Sequence, residues 1–271
     1  MPPPQKAHSG SVAKLEALHV KDPHALYRTP TDDTGVTSFA SAAHEVTKVR
    51  IMNRSALLLG ASGLVGGECL RILLTETSYS RVHALVRGPL ELEHPKLIQH
   101  HISFDDLEAT SAPWSSDAVF CCLGTTIRKA GSQEAFRRVD YGYPLTAAGH
   151  AASSNAGAFL LISALGADAE SPIFYNRIKG QTERDLKKLN LKRIVILRPS
   201  LILGDRKEYR AGELIAAAFM RPLMGLMRRG LRRYRPIHAR TIARAMVKMS
   251  LQEATGHTTL ESEQIEELGK E

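Results

Sequence analysis

From residue 55 onward the chain alternates between two hydrophobic patterns. Short, almost unbroken apolar runs occur at 56–59, 82–86, 97–104, 118–123, 158–162 and 193–197. Between some of them, at 64–77, 132–153 and 174–189, apolar residues recur at helical spacing. The first pattern predicts strands buried on both faces and the second predicts amphipathic helices. The expected class is therefore α/β, a doubly wound parallel sheet of the Rossmann type. After Gly204-Asp205-Arg206 the pattern loosens, and a small C-terminal helical cap is expected around 205–250. Residues 1–51 open with Pro2, Pro3 and Pro4 and carry one short apolar stripe, Val12, Leu15 and Leu18. So little apolar surface cannot offset the entropy of ordering. This stretch is expected to be a disordered extension, and 52–271 the folded domain.

The turn after the first predicted strand organises the rest of the chain. Its glycines fall at Gly60, Gly63 and Gly66. Gly60 permits a sharp turn, Gly63 lets backbone approach a pyrophosphate, and Gly66 lets the next helix pack closely. The first-turn N–H groups, around Ser62, Leu64 and Val65, then face an anion together with the positive end of the helix dipole. A spaced glycine triplet also occurs in ordinary turns. The buried strand before it and the periodic helix after it (Val65, Cys69, Ile72, Leu73) supply the context of a dinucleotide site.

Composition alters this picture little. The balance of 43% hydrophobic and 24% charged residues is that of a soluble globular protein. No apolar run approaches the ~20 residues of a spanning helix. The net charge of +8 suits an anionic partner such as a phosphorylated cofactor. Cys69, Cys121 and Cys122 lack metal-ligand spacing, which points to a reducing compartment and to no metal. The first 51 residues have no secretory apolar region, and Glu16, Asp22, Asp32 and Asp33 count against a transit peptide. The expected location is cytoplasmic.

Three places carry candidate chemistry. An NAD site would place an acid about 20 residues past the glycines to hold the ribose hydroxyls. Here the second strand ends in Leu85-Val86-Arg87, with no acid. Arg87 reads either as a partner for the 2′-phosphate of NADP or as a solvated arginine, and the missing acid favours NADP. Leu123-Gly124-Thr125 ends the fourth strand, either against the middle of such a cofactor or as a plain turn. Tyr175 and Lys179 are four apart on a predicted helix and share one face. A tyrosine of pKa about 10 transfers protons poorly at neutral pH unless a nearby ammonium stabilises its anion. Ser163 follows the fifth strand at the same sheet edge, within reach of a substrate carbonyl.

With Gly60-x-x-Gly63-x-x-Gly66, Ser163 and Tyr175-x-x-x-Lys179, the chain resembles the short-chain dehydrogenase/reductases. Among them it is most similar to the atypical branch of Tat-interacting-protein oxidoreductases. The carrying stretches are Phe120-Cys121-Cys122-Leu123-Gly124-Thr125-Thr126, Phe136-Arg137-Arg138-Val139-Asp140 and Leu197-Arg198-Pro199-Ser200, with Arg210-Ala211-Gly212-Glu213 and Leu268-Gly269-Lys270. The resemblance spans 55–270. It implies NADPH as cofactor, held also by Ile202 and Arg210, and catalysis by Tyr175, Lys179 and Ser163. Two departures stand out: Ala164 follows Ser163 where the family often has a second serine, and an arginine pair after the second strand is reduced to Arg87.

Arg221, Arg228, Arg229, Arg232, Arg233, Arg235 and Arg240 are interleaved with Leu223, Met224, Leu226, Met227 and Leu231. This stretch reads either as a cap helix with a solvated face or as a basic segment for an anionic membrane surface or acidic protein. Without an aromatic stacking set, no nucleic acid is expected. The sequence thus predicts an NADP-dependent oxidoreductase acting on a small carbonyl or alcohol substrate, with an oligomer compatible. The alternative is an NADPH-binding redox sensor or regulator acting through protein contacts.

Overall fold

The computed structural model describes residues 53–204 and 232–270. Strand β1 (Arg54–Leu59) lies near the centre of the sheet, and Ala56, Leu57, Leu58 and Leu59 are fully buried. Helix α1 (Leu64–Thr75) leads to β2 (Tyr79–Val86), β3 (Leu97–His101) and a short 3-10 turn, Phe104–Ala109. Next come β4 (Ala118–Cys121), α2 (Ile127–Ala130), α3 (Gln133–Arg137), a π-helical turn (Arg138–Gly142) and α4 (Tyr143–Ser153). They are followed by β5 (Phe159–Ile162), α5 (Phe174–Leu186), β6 (Arg193–Arg198) and β7 (Ile202–Leu203). The described C-terminal part adds β8 (Ile237–His238), α6 (Ala239–Leu251), β9 (Gly256–Glu261) and α7 (Ser262–Leu268).

The main sheet is parallel throughout, in the order β3-β2-β1-β4-β5-β6-β9. Side-chain alternation along β1 divides the core. Ala56 and Leu58 join the cluster of α1 and α6, with Leu73, Ile242 and Met246, while Leu57 and Leu59 join Ala147, Ala148 and Ala151 of α4. The expected doubly wound sheet is present. Its order reverses between β1 and β4, where such sheets bind ligands outside the carboxyl ends of their strands.

Three differences from the sequence pattern have physical causes. The single helix expected over 132–153 is divided by the π turn, just before Pro144 in the first turn of α4. Proline has no N–H to continue an i→i−4 ladder, so the chain widens there. The strand β9 was hidden because it is an edge strand: Gly256-His257-Thr258-Thr259-Leu260-Glu261 has no apolar run, and it is its register with β6 that makes it a strand. Of the cap expected around 205–250, residues 205–231 lie outside the described residues, as does the 1–51 extension. Residues 239–251 form α6, a core helix packed beside α1 rather than a cap.

A core helix and a cap respond differently to truncation of an apolar side chain. Ile242 is fully buried, so Ile242→Ala should lower unfolding free energy by about 2–5 kcal/mol in a urea titration. A loss near zero would return α6 to the surface.

Candidate cofactor cleft and catalytic centre

The glycine turn has no room for side chains at two points. Gly60 has φ +86°, and a Cβ there would stand 2.7 Å from the Cys122 carbonyl oxygen. A Cβ on Gly66 would stand 2.0 Å from the Gly60 oxygen. The start of α1 is therefore pressed against the β1–β4 switch point. Its N-cap, Gly63, offers no side-chain cap, and its first turn carries no acid, so the helix dipole is left to attract an anion from outside.

Beside this turn opens a cleft of about 1330 Å³. Gly60, Ser62, Gly63 and Leu64 line one wall, Arg87 stands at the end of β2, and Leu123, Gly124 and Thr125 form the opposite side. Phe104, Asp105 and Tyr143 line the cleft as well. Of the residues expected at the cofactor, Val65 and Gly66 lie beneath the wall: Val65 is buried, and Gly66 serves the helix–strand contact. Ile202 is half-buried in β7 against the α1–α6 core cluster. Arg210 lies outside the described residues, as do Arg221, Arg228 and Arg229. Two basic residues without a sequence signal, Arg71 of α1 and Lys129 of α2, also line the cleft. Neither belongs to a local motif, so only the fold could reveal them.

Tyr175 and Lys179 lie one turn apart on α5. The Tyr175 ring packs against Phe136, centroid to centroid 5.6 Å. Lys179 is buried, and its Nζ lies 2.7 Å from Oδ1 of Asp140, which is itself buried in the π turn. The other carboxylate oxygen of Asp140 accepts the Thr125 N–H at 2.8 Å. A Cβ on Gly124 would meet Asp140 Oδ1 at 3.5 Å and Lys179 Nζ at 4.0 Å, so the ion pair stands directly behind the cleft wall. Burial opposes the Lys179 charge, but the attraction of Asp140 outweighs it and holds the ammonium above the ordinary lysine range. In the sequence Asp140 is marked only by the family-like stretch that ends on it; nothing in its spacing to Lys179 announces the contact.

Ser163, expected to orient a substrate carbonyl, is buried. Its hydroxyl donates to the buried carboxylate of Glu183, which Arg198 grips from β6 at 2.6–3.1 Å. Arg198 also bonds Glu261 on β9 at 3.0 Å. A serine hydroxyl has one proton to donate. That proton is directed at Glu183, which joins Ser163 to a charge network on α5. The signal for Glu183 was present, since Tyr175, Lys179 and Glu183 repeat every four residues and share one helix face.

No protein-family model matches the chain. Protein HTATIP2 of Rattus norvegicus is 33% identical over 227 residues, covering 82% of this chain and 92% of that protein. The chain belongs to the HTATIP2 family. Within that family's range are the proteins named FMP52, mitochondrial: that of Candida albicans is 32% identical over 204 residues (71% of this chain, 86% of that one). The Aspergillus niger protein is 30% identical over 220 residues (77% and 92%). Among solved structures, Bordetella bronchiseptica WbmH in complex with NAD+ aligns with a TM-score of 0.59 at 18% identity, over 80% of this chain and 79% of that one. A UDP-N-acetylglucosamine 4-epimerase from Methanobrevibacter ruminantium M1 aligns at 0.56 and 16% identity, over 77% and 76%. These solved structures share the fold of this chain.

The FMP52 names overturn the cytoplasmic expectation and point to mitochondria. An import signal is a local amphipathic stretch, so acids scattered at 16, 22, 32 and 33 do not exclude one elsewhere in the segment.

The buried ion pair has a measurable signature. Asp140→Ala leaves Lys179 charged and unpaired, and should cost about 3–5 kcal/mol in chemical denaturation. The double variant Asp140→Ala/Lys179→Met should recover much of that loss. Additive losses in the two single variants would contradict the pairing.

Proposed function

We propose that the chain is an NADP-dependent oxidoreductase that interconverts a small carbonyl compound and its alcohol. The observation that carries this reading is Lys179, fixed by Asp140 directly behind Gly124, with Tyr175 one turn away on the same helix. The glycine cradle, the uncapped start of α1 and the cleft volume fit a dinucleotide. Bound in the cleft, a nicotinamide nucleotide supplies or accepts hydride at the substrate carbon. Tyr175 delivers the proton to the developing alkoxide oxygen. Lys179 would stabilise the tyrosinate that results and would hold the nicotinamide ribose. Asp140 keeps the ammonium in place, and its hold on the Thr125 amide ties that ammonium to the cleft wall. Ser163 contributes indirectly, by steadying Glu183.

NADP over NAD is supported by Arg87 at the end of β2, by the absence of an acid there, and by Arg71 on the neighbouring wall. The mitochondrial names of the FMP52 relatives support a mitochondrial setting, which fractionation of the native source would check.

A second reading is favoured by the Ser163–Glu183 bond. Ser163 withholds its proton from the cleft and Ala164 follows it, so this strand end offers no hydroxyl donor to polarise a carbonyl. A cofactor-binding sensor that acts through protein contacts needs no such donor.

Titration with NADPH and NADH, followed by turnover on a carbonyl panel, separates the readings. Tyr175→Phe should abolish turnover and leave NADPH affinity nearly unchanged; equal rates in the two proteins would refute the assignment. Arg87→Ala should weaken NADPH by about tenfold, the loss of one charge-assisted contact, and NADH little. Tight NADPH binding without turnover on any carbonyl would establish the sensor.

A further inference from the structure

Among the described residues, the hydroxyls that line the cofactor cleft belong to Ser62, Ser103, Thr125 and Tyr143. Ser62 stands in the glycine turn, beside the start of α1. Ser103 and Tyr143 lie beyond β3, at the far side of β1 from the catalytic helix. Ser103 accepts the Asp105 N–H at 3.3 Å, and the Tyr143 hydroxyl donates to the Asp105 carboxylate. Thr125 alone follows β4, on the side of Lys179. Its amide donates to Oδ2 of Asp140 at 2.8 Å, and Oδ1 of that carboxylate meets Lys179 Nζ at 2.7 Å. A single carboxylate thus separates Thr125 from the ammonium. The bond made by the Thr125 hydroxyl, to the Thr126 carbonyl, is 3.5 Å long, against about 2.8 Å for an ordinary O–H···O bond. Its backbone is held firmly, while its proton is held weakly and faces the cleft.

We propose that Thr125 is a catalytic residue of this site: its hydroxyl donates a hydrogen bond to the substrate carbonyl oxygen while Tyr175 delivers the proton. This role presupposes the oxidoreductase function proposed above. An oxygen that gains charge during reaction is best stabilised by donors already fixed in place. Ser163, the serine at the end of β5, directs its hydroxyl at Glu183. Thr125 meets the condition from β4. Its amide is tied to Asp140, and its β-branched side chain is stiff about χ1. When hydride adds to the carbonyl carbon, the C=O π pair moves onto the oxygen. Tyr175 gives that oxygen its proton and is left as tyrosinate beside Lys179. The Thr125 O–H bond stays intact throughout, and its hydrogen bond strengthens as charge gathers on the oxygen. The Asp140 carboxylate then serves both halves of the chemistry, with one oxygen on the ammonium and the other on the backbone that carries the donor.

Two readouts on the full chain test this. The first is turnover on the carbonyl panel. Thr125→Val keeps the β-branched shape and the amide bond to Asp140, and should lower kcat by about 100-fold with NADPH affinity nearly unchanged. Thr125→Ser restores a hydroxyl and should recover most of that loss. The second readout needs no turnover. Acetophenone and cyclohexanone, isotope-labelled at the carbonyl carbon, are held in a dead-end complex with NADP+ and followed by infrared difference spectroscopy. Their C=O stretch should lie at lower frequency in the wild type and Thr125→Ser than in Thr125→Val. Wild-type turnover matched by Thr125→Val would overturn the role of Thr125 and leave the oxidoreductase reading standing. A Thr125-dependent band shift without turnover would keep the hydroxyl on the carbonyl and overturn that reading instead. Absence of a shifted band with both ketones would overturn the contact. So would a loss of NADPH affinity in Thr125→Val at unchanged kcat, which would place the hydroxyl on the cofactor.

Discussion

Burying an ammonium group in a protein core is costly unless a carboxylate goes with it. Lys179 and Asp140 meet that condition, and much of the carboxyl edge of the sheet is arranged around their meeting. The carboxylate comes from a π turn, which exists because Pro144 interrupts what would otherwise be one long helix. The ammonium comes from α5, whose next turn carries Glu183 into the grip of Arg198. The Asp140 carboxylate reaches the backbone after β4, so three segments distant in sequence are held in register by one buried pair. Such a pair contributes less to net stability than to uniqueness: any shift of α5 along its axis would leave a bare charge behind.

The same principle of paired charges explains the region around Ser163. A hydroxyl at a strand end looks available when only its position is known. Next to a buried carboxylate its proton is committed, because Glu183 needs every donor it can find away from water. The structure also separates the two adjacent cysteines by place, one under α4 and one against the cluster of α1 and α6.

Much of this architecture was legible in the sequence, and for a consistent reason. Central parallel strands are buried on both faces, so 56–59, 118–121 and 193–197 stand out as apolar runs whatever their neighbours. The glycines at 60 and 66 were legible because only the smallest residue fits there. Features that could not be read depend on partners far away in the chain. Strand β9 is polar and becomes a strand only by pairing with β6. Asp140 resembles any acid in a helix until it is folded against Lys179. Arg71 and Lys129 meet at the cleft from two different helices. The bond between Ser163 and Glu183 was hidden for the same reason, since the two lie 20 residues apart.

The charge network that ends on β9 bears on how the molecule is made. Arg198 is held on one side by Glu183 and on the other by Glu261, near the C-terminal end of the described chain. During synthesis, every strand of the sheet except this one emerges while Arg198 still lacks its second partner and β6 still shows an unpaired edge. An edge of that kind invites pairing with the wrong chain. The nascent protein therefore passes through a sheet that ends at β6, and only its last described strand covers that edge. A chaperone that shields the β6 edge would act at that interval, and a chain cut short before residue 256 would keep the edge exposed.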